Sequence, residues 1–304
     1  IMPLPSLLLG TAQWGWNVSR SEAFEMLDFW LKSGRRHIDA ATNYPINKNP
    51  GDFRASEKIL HEYVQAHGLR DLDITMKVGS LDNMRTPDIN LAPSFLMMAG
   101  DEYSRLFGDN LRCLMLHWDN RNDPAEIRAS LEALRVAAKE YGLRTGLSGI
   151  AHPETYAAVN EDLQMGRDIQ LKNNLLQSDA MRYEHLFKQS KHRFFAYGIN
   201  AGGVKIDGVY AEDSTLLKRG GDPERAAAVL EKLQAVLPKL NTDFVRPPVK
   251  TMNHVGLILT ALDARFSGIL LGVSSLAQLK ETLDFWRNLE VFDYGDVWAA
   301  LRKL

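Results

Sequence analysis

The segment RRHIDAATNYP, residues 35–45, reads as a buried β-strand whose end changes from apolar to chemically active side chains. Ile38 is followed at once by Asp39, and Tyr44 comes five positions later. An isolated ionised carboxylate is costly to bury, so we expect Asp39 to have a cationic partner elsewhere in the chain. The segment therefore predicts a strand that ends in a functional site.

Short apolar runs of this kind alternate with helical patterns along the whole chain. The strand candidates are 7–12, 36–41, 73–78, 113–118, 145–149, 168–174, 193–199 and 268–273. Residues 19–34 and 123–142 are typical amphipathic helices between them, the first capped by Ser19 or Ser21 and the second ended by Gly142. Alternating β and α units with continuously apolar strands predict a parallel sheet.

Eight such units predict a single (β/α)8 TIM barrel of the α/β class, with residues 1–304 as one domain. Residues 200–267, between strands seven and eight, form a longer interval than one crossover helix needs. The interval includes most of the glycine-rich stretch 199–222 and two helical patterns, 224–239 and 249–265. We predict a loop-helix insertion whose glycine-rich part covers the barrel mouth, with a tolerated surface insertion as the alternative.

Composition limits the class of partner. Apolar residues make up 45% of the chain and charged residues 24%, and the formal net charge is −2 without a long basic run. These values argue against a nucleic-acid surface or an anionic membrane as the partner and favour a small molecule.

The single cysteine, Cys113, excludes an internal disulfide and favours a reducing compartment, so we expect a cytoplasmic protein. No apolar run is long enough to span a bilayer, no signal peptide is recognised, and no interface pattern argues against a monomer.

Polar side chains stand at the ends of three successive predicted strands. Asp39, Lys77 and His117 close strands two, three and four, and Tyr44 lies in the loop after the first of them. In a parallel barrel these ends face the active site, and Lys77 can neutralise Asp39 across one strand gap. Because a nearby cation favours phenolate, we expect Lys77 to lower the pKa of Tyr44 from its ordinary value of about 10.

These positions resemble the catalytic residues of the aldo-keto reductases. The resemblance rests on IDAATNY (38–44), RASEKILHEYV (54–64), TMKVG (75–79) and LMLHW (114–118). It continues through GLSGI (146–150), IQLKNNLL (169–176), FAYGINAGGV (195–204) and ILLGVSSLAQLKET (269–282). The segments follow the order and spacing of the family and cover roughly residues 7–290.

The resemblance implies NAD(P)H-dependent reduction of aldehydes, ketones or sugar-derived carbonyls without a metal. A hydride delivered to a carbonyl leaves an alkoxide, which needs a proton donor and a preorganised positive environment. Tyr44 is the implied donor and Lys77, held by Asp39, tunes it. His117 is in position to hydrogen-bond the carbonyl oxygen and orient the substrate.

The resemblance also implies a set of cofactor residues. They are Gly10, Thr11, Asp39, Ser148, Gln170, Tyr197, Gly198, Gly272, Ser274, Gln278 and Glu281. Ser148 and Gln170 resemble the groups that hydrogen-bond the nicotinamide carboxamide, and Tyr197 resembles the aromatic that stacks on the ring. The family usually has asparagine where this chain has Gly149, which leaves one amide contact missing or replaced.

The predicted adenosine end of the site departs from the family pattern. Ser274 and Ser275 open a helix, and a helix N-terminus is a favourable seat for a phosphate. Many NADPH-specific members carry a lysine and an arginine at the positions that are Gly272 and Gln278 here. We therefore expect NADP(H) to be favoured only modestly and NAD(H) to be usable.

Other interpretations stay open at this stage. A sugar (aldose) dehydrogenase working in the oxidative direction would use the same four residues, and a nicotinamide-binding regulatory subunit shares the fold. Lys77 as the Schiff-base nucleophile of an aldolase-type barrel is a third reading, although an Asp39 partner would keep the lysine charged. Trp14, Trp16 and Trp118 follow strand ends and are predicted to wall an apolar pocket, with packing at the barrel rim as the alternative.

Overall fold

A computed structural model describes residues 3–242 and 245–304 of the chain. Within these residues, eight parallel strands form a closed barrel in which each strand pairs with its neighbours in the sequence. They are β1 (Ser6–Gly10), β2 (His37–Ala41), β3 (Asp73–Val78), β4 (Leu111–His117), β5 (Arg144–Ser148), β6 (Asp168–Lys172), β7 (Arg193–Tyr197) and β8 (Gly268–Leu271). The pairing of β1 with β8, where Leu8 lies opposite Leu270, closes the barrel. The predicted α/β barrel is confirmed.

Helices surround this sheet. They are α1 (Arg20–Lys32), α2 (Ala55–His67), α3 (Pro93–Phe107), α4 (Pro124–Tyr141), α5 (Pro153–Leu163), α6 (Glu184–Phe187), α7 (Thr215–Lys218), α8 (Ala227–Thr242), α9 (Met252–Ala261), α10 (Leu276–Val291) and α11 (Gly295–Leu301). Ser19 caps α1 by accepting a hydrogen bond from the Glu22 amide, and Asp123 caps α4 in the same way. In the described part of the chain, no helix is long and apolar enough to cross a membrane.

Side chains that alternate along a strand pack into two different apolar clusters. Leu7 and Leu9 of β1 belong to the large apolar cluster between the sheet and the helices. Leu8 packs instead with Phe195 and Leu270 in a separate small cluster. Successive side chains of a strand point to opposite faces, so the helices cover one face of each strand and the barrel interior takes the other.

The interval between β7 and β8 contains α7, α8 and α9. The last two confirm the two predicted helical patterns, but each begins three residues later than predicted, at Ala227 and at Met252. Thr251 sets the later start of α9, since its side chain accepts a hydrogen bond from the His254 amide. Gly256 lets α9 pack closely on the end of β7, because a Cβ there would lie 2.2 Å from the carbonyl oxygen of Ile199.

Candidate active site

One cleft of about 2150 Å³ opens at the carboxyl ends of the strands. Asp39, Tyr44 and Lys77 line it, together with the ends of β5 to β8. Much of residues 199–222, which we call the insertion loop, forms a wall of the same cleft. The glycine-rich stretch therefore lies at the barrel mouth, as the sequence predicts.

The partner of Asp39 is Lys77. The Lys77 Nζ lies 2.5 Å from Asp39 Oδ2, and both side chains are only 2% exposed. The same Nζ donates to Tyr44 Oη at 2.8 Å and to Gln170 Oε1 at 3.4 Å. The ammonium thus has three oxygen acceptors, which is the number of its N–H groups.

The pKa of Tyr44 is shifted in the direction opposite to the one expected from the sequence. Burial raises the pKa of Tyr44 above its ordinary value, and the nearby Lys77 cation, which acts in the opposite direction, does not outweigh it. Burial tends to lower the pKa of Lys77, but the Asp39 carboxylate and Tyr44 more than compensate and raise it. The predicted lowering of the Tyr44 pKa is therefore wrong for this structure. At neutral pH a charged ammonium donates to a neutral phenol.

This protonation state bears on the aldolase-type interpretation of Lys77. A Schiff-base nucleophile needs a free amine lone pair, which requires a lowered lysine pKa. Lys77 has a raised pKa and donates to three acceptors, so its geometry contradicts that interpretation.

His117 lies beside the phenol. Its ring meets the Tyr44 ring edge to face, with 5.8 Å between the centroids, and the Trp118 ring lies 4.9 Å from it on another side. Burial and the Lys77 cation lower the pKa of His117 well below its ordinary value. The imidazole is therefore neutral at neutral pH and carries one N–H donor. Its Nδ1 is buried and has no hydrogen-bond partner among the residues described.

Ser148 and Gln170 join the catalytic network. Ser148 Oγ donates to Gln170 Oε1 at 3.1 Å, and Gln170 Nε2 donates to Asp39 Oδ1 at 2.6 Å. Gln170 therefore holds the second oxygen of the Asp39 carboxylate, a role that sequence reasoning missed. One N–H of the amide remains available to a ligand in the cleft, which Ser148, Gln170 and Tyr197 all line.

The space for a side chain at position 149 is filled by an indole. Gly149 has φ of +63°, and a Cβ there would lie 2.7 Å from Trp118 Cδ1. A branched or polar side chain would therefore meet both a strained backbone and a steric overlap. Trp118 therefore occupies the space that a side chain at position 149 would need.

The far end of the cleft is formed by the start of α10. Ser275 caps this helix by accepting a hydrogen bond from the Gln278 amide at 3.1 Å. The Gln278 side chain turns back and accepts hydrogen bonds from the Ser274 amide and hydroxyl, at 2.9 and 3.0 Å. Gly272 is open: apart from its chain neighbours, no heavy atom of residues 3–242 and 245–304 lies within 4 Å of a Cβ built on it. Glu281 also lines the cleft, but its carboxylate makes a close hydrogen bond with the His254 ring.

Some predicted residues do not reach the cleft. Gly10 and Gly198 line it, whereas Thr11 is fully buried and its hydroxyl donates to the Asp39 carbonyl oxygen at 2.9 Å. Thr11 thus supports β2 and does not face a ligand.

Trp16 and Trp118 line the cleft, but Trp14 is fully buried in the main apolar cluster, so its predicted place in the pocket wall is wrong. Its turn, closed by the Trp14 amide on the Thr11 carbonyl, directs the indole away from the mouth.

Comparison with known protein families gives one match. The sequence model of the Aldo/keto reductase family matches residues 6–299, which include all the strands described above. A comparison with curated proteins gave no match. Members of this family are oxidoreductases that reduce carbonyl groups with nicotinamide cofactors. The barrel, its buried Asp39–Lys77–Tyr44 group and a match over nearly the whole length establish that the chain belongs to the aldo/keto reductase family.

Proposed function

We propose that this protein reduces aldehydes, ketones or sugar-derived carbonyls with NAD(P)H and uses Tyr44 as the general acid. One observation carries the proposal: the Lys77 ammonium donates to Tyr44 Oη at 2.8 Å. Because the phenol oxygen accepts from Lys77, its own hydrogen is left to be donated into the cleft. A proton donor that faces a substrate cleft from a fixed position is what carbonyl reduction requires.

The cleft fits a nicotinamide dinucleotide. Its volume of about 2150 Å³ is well above the ~300–1,000 Å³ that is usual for small-ligand pockets. A buried hydroxyl in its wall, Ser214 Oγ, has no partner within the described residues. Ser148 and Gln170 would hold the carboxamide, Tyr197 the ring, and Ser274 the adenosine end. When bound, the cofactor supplies the hydride.

Four residues of the chain would carry out the proton transfer and orient the substrate. Tyr44 gives its proton to the carbonyl oxygen as negative charge develops there. The Lys77 ammonium stabilises the phenolate that is left, and Asp39 keeps that ammonium charged and in place. Neutral His117 donates a hydrogen bond to the same oxygen and orients the carbonyl. In the reverse direction Tyr44 would accept the proton, so an aldose dehydrogenase would use the same groups.

The cofactor preference follows from the start of α10. Neither Gly272 nor Gln278 carries a charge, and the Gln278 side chain already uses the Ser274 donors. We therefore expect NADP(H) to be favoured only modestly, with NAD(H) usable. We also expect a cytoplasmic monomer, because the chain has one cysteine and no sequence pattern typical of an interface.

Titration with both cofactors, followed by addition of a carbonyl compound, tests this function. Protein fluorescence should report saturable binding of NADPH and of NADH. Adding small aldehydes, ketones or aldoses should then consume the reduced cofactor at a rate that depends on the protein. Binding without any carbonyl-dependent consumption would instead support a regulatory subunit, and absence of binding would contradict the proposal.

A further inference from the structure

Three arginines line the cleft, and two of them, Arg85 and Arg219, interact electrostatically with each other. Arg85 lies in the loop between β3 and α3, and Arg219 follows α7 in the insertion loop. Arg219 interacts electrostatically with Tyr44 and with Arg85, so its guanidinium lies near the phenol and near the other guanidinium. Neither Arg85 nor Arg219 forms an ion pair or a side-chain hydrogen bond with any residue in 3–242 or 245–304.

The loop that carries Arg85 is fixed to the segment that carries Tyr44. The Asn83 side-chain amide donates to the carbonyl oxygens of Pro45 and Asn49, at 3.2 and 2.7 Å. Arg85 itself has φ of +64°, a conformation that costs a non-glycine residue free energy. Such strain persists where the surroundings over-determine the backbone, and it is frequent at ligand sites. Arg85 is therefore held in position relative to Tyr44.

Arg219 is held from the other side. It follows directly on α7, whose Leu216 is buried and whose Thr215 hydroxyl donates to Ser274 Oγ at 3.2 Å. The insertion loop thus contacts the start of α10 across the cleft. This contact fixes the short helix that presents the Arg219 guanidinium.

The carboxylates of the cleft do not neutralise these two cations. Asp39 is committed to Lys77 and to Gln170 through its two oxygens. Asp207, Asp213 and Asp222 also lie in the wall of the cleft, but none of them forms an ion pair with Arg85 or Arg219 within the described chain. Arg85 and Arg219 are exposed, so water screens their mutual repulsion while the cleft is empty; a ligand that displaces this water is favoured if it supplies an anion between them. The anion is therefore to be sought in the ligand.

We propose that Arg85 and Arg219 bind an anionic group of the substrate, so that the preferred substrate is a carbonyl compound that also carries a carboxylate or a phosphate. The planar guanidinium matches both anions with paired N–H donors. Since Arg219 lies near Tyr44 and both arginines line the cleft, the anion would bind to them while the carbonyl meets the phenol. This inference rests on the proposed reductase function.

Matched pairs of substrates test the kinetic consequence. The pairs are 4-carboxybenzaldehyde against benzaldehyde, and glyceraldehyde 3-phosphate against glyceraldehyde, so that carboxylate and phosphate are compared separately. The wild type should prefer the anionic member of at least one pair by about tenfold or more in kcat/KM. Arg219→Gln and Arg85→Gln should each reduce that preference severalfold, mainly through KM, with a smaller effect on the neutral member.

Lys218→Gln is the matched control. Lys218 is exposed, precedes Arg219 directly and does not line the cleft, so the substitution removes the same charge from the same loop. It should leave the preference unchanged. If Lys218→Gln lowered the preference as much as Arg219→Gln, a general positive field would explain it and the proposed site would be wrong.

Equilibrium binding decides the proposal independently of turnover. Calorimetry should show that 4-carboxybenzyl alcohol binds the wild type at least several times more tightly than benzyl alcohol, and that the Arg85→Gln, Arg219→Gln double variant loses this difference. Equal affinity of the two alcohols, together with no preference in either aldehyde pair, would overturn the proposal. Selective binding of the anionic alcohol without reduction of any aldehyde would support this site and contradict the reductase function.

Discussion

The acidity of Tyr44 is the residue-scale property on which the chemistry depends. The proposed reduction needs the protonated phenol, and burial raises the pKa of Tyr44 above its ordinary value of about 10. The acid therefore stays protonated through neutral pH and is lost only as the pH rises through the raised pKa. We predict that kcat/KM for reduction is level through neutrality and declines only above a pH of about 10. A decline of this activity centred near neutral pH would contradict the assignment.

A second residue-scale prediction concerns the buried ion pair. Asp39→Asn leaves the Lys77 ammonium, 2% exposed, without its counter-charge, and breaking one side of a buried pair costs about 3–5 kcal/mol. The free energy of unfolding in urea should fall by about that amount, and the rate should fall with it. Asp162→Asn is the control, because the Arg128–Asp162 pair is exposed and contributes little. An Asp39→Asn protein as stable as the control would show that the pair does not matter.

The residue types at the strand ends made it possible to predict four site residues from the sequence. Asp39, Lys77 and His117 are polar interruptions of apolar strands, and Tyr44 follows the first of them. The direction of the Tyr44 pKa shift could not be predicted from the sequence, because it depends on whether the effect of burial outweighs that of the neighbouring charge. The bond from Gln170 to Asp39 was missed for a similar reason, since it joins residues far apart in the chain.

At the scale of single elements, we expect the start of α10 to decide the cofactor preference. Gln278→Arg removes the acceptor that engages Ser274 and adds a cation at the start of this helix. A charge-assisted contact contributes on the order of 1.5–3 kcal/mol, so NADPH should gain roughly 10- to 150-fold in affinity relative to NADH. The measurement is the ratio of the two dissociation constants at low and at high salt.

Gln278→Met serves as the control for that ratio. It removes the same acceptor without adding a charge, so it should change the affinity for NADPH and NADH about equally. A wild-type protein that prefers NADPH by more than about 10³, with a ratio that Gln278→Arg leaves unmoved, would mean that another basic group holds the phosphate.

The elements themselves differ in how well their sequences define them. The strands of the barrel are short, largely apolar runs between helical patterns, so their positions were predicted closely. The starts of α8 and α9 were less clear, because side-chain caps such as Thr251 decide them and a helical pattern alone does not mark the first turn. Trp14 was misplaced because a short turn, invisible to periodicity, directs it inward.

At the scale of the whole molecule, barrel closure is what assembles the site. The Gln170–Asp39 bond joins residues 131 positions apart, and it forms because the barrel brings the ends of β2 and β6 across one interior. Strict alternation of strands and helices was enough to predict this topology. It was not enough to predict that Arg85 and Arg219 line the cleft, because both lie in loops whose course no periodic pattern encodes.

The replacement Tyr44→Phe tests the central claim, that the phenol held by Lys77 is the acid. It removes one oxygen from a buried ring and should lower kcat by roughly 10²-fold or more, while the dissociation constant for NADPH changes little. Tyr141→Phe removes the same atom from a tyrosine outside the cleft and should keep the wild-type rate. The measurement is single-turnover reduction of an aldehyde by each variant at saturating NADPH. A Tyr44→Phe enzyme that reduces the aldehyde as fast as the Tyr141→Phe control would contradict the account.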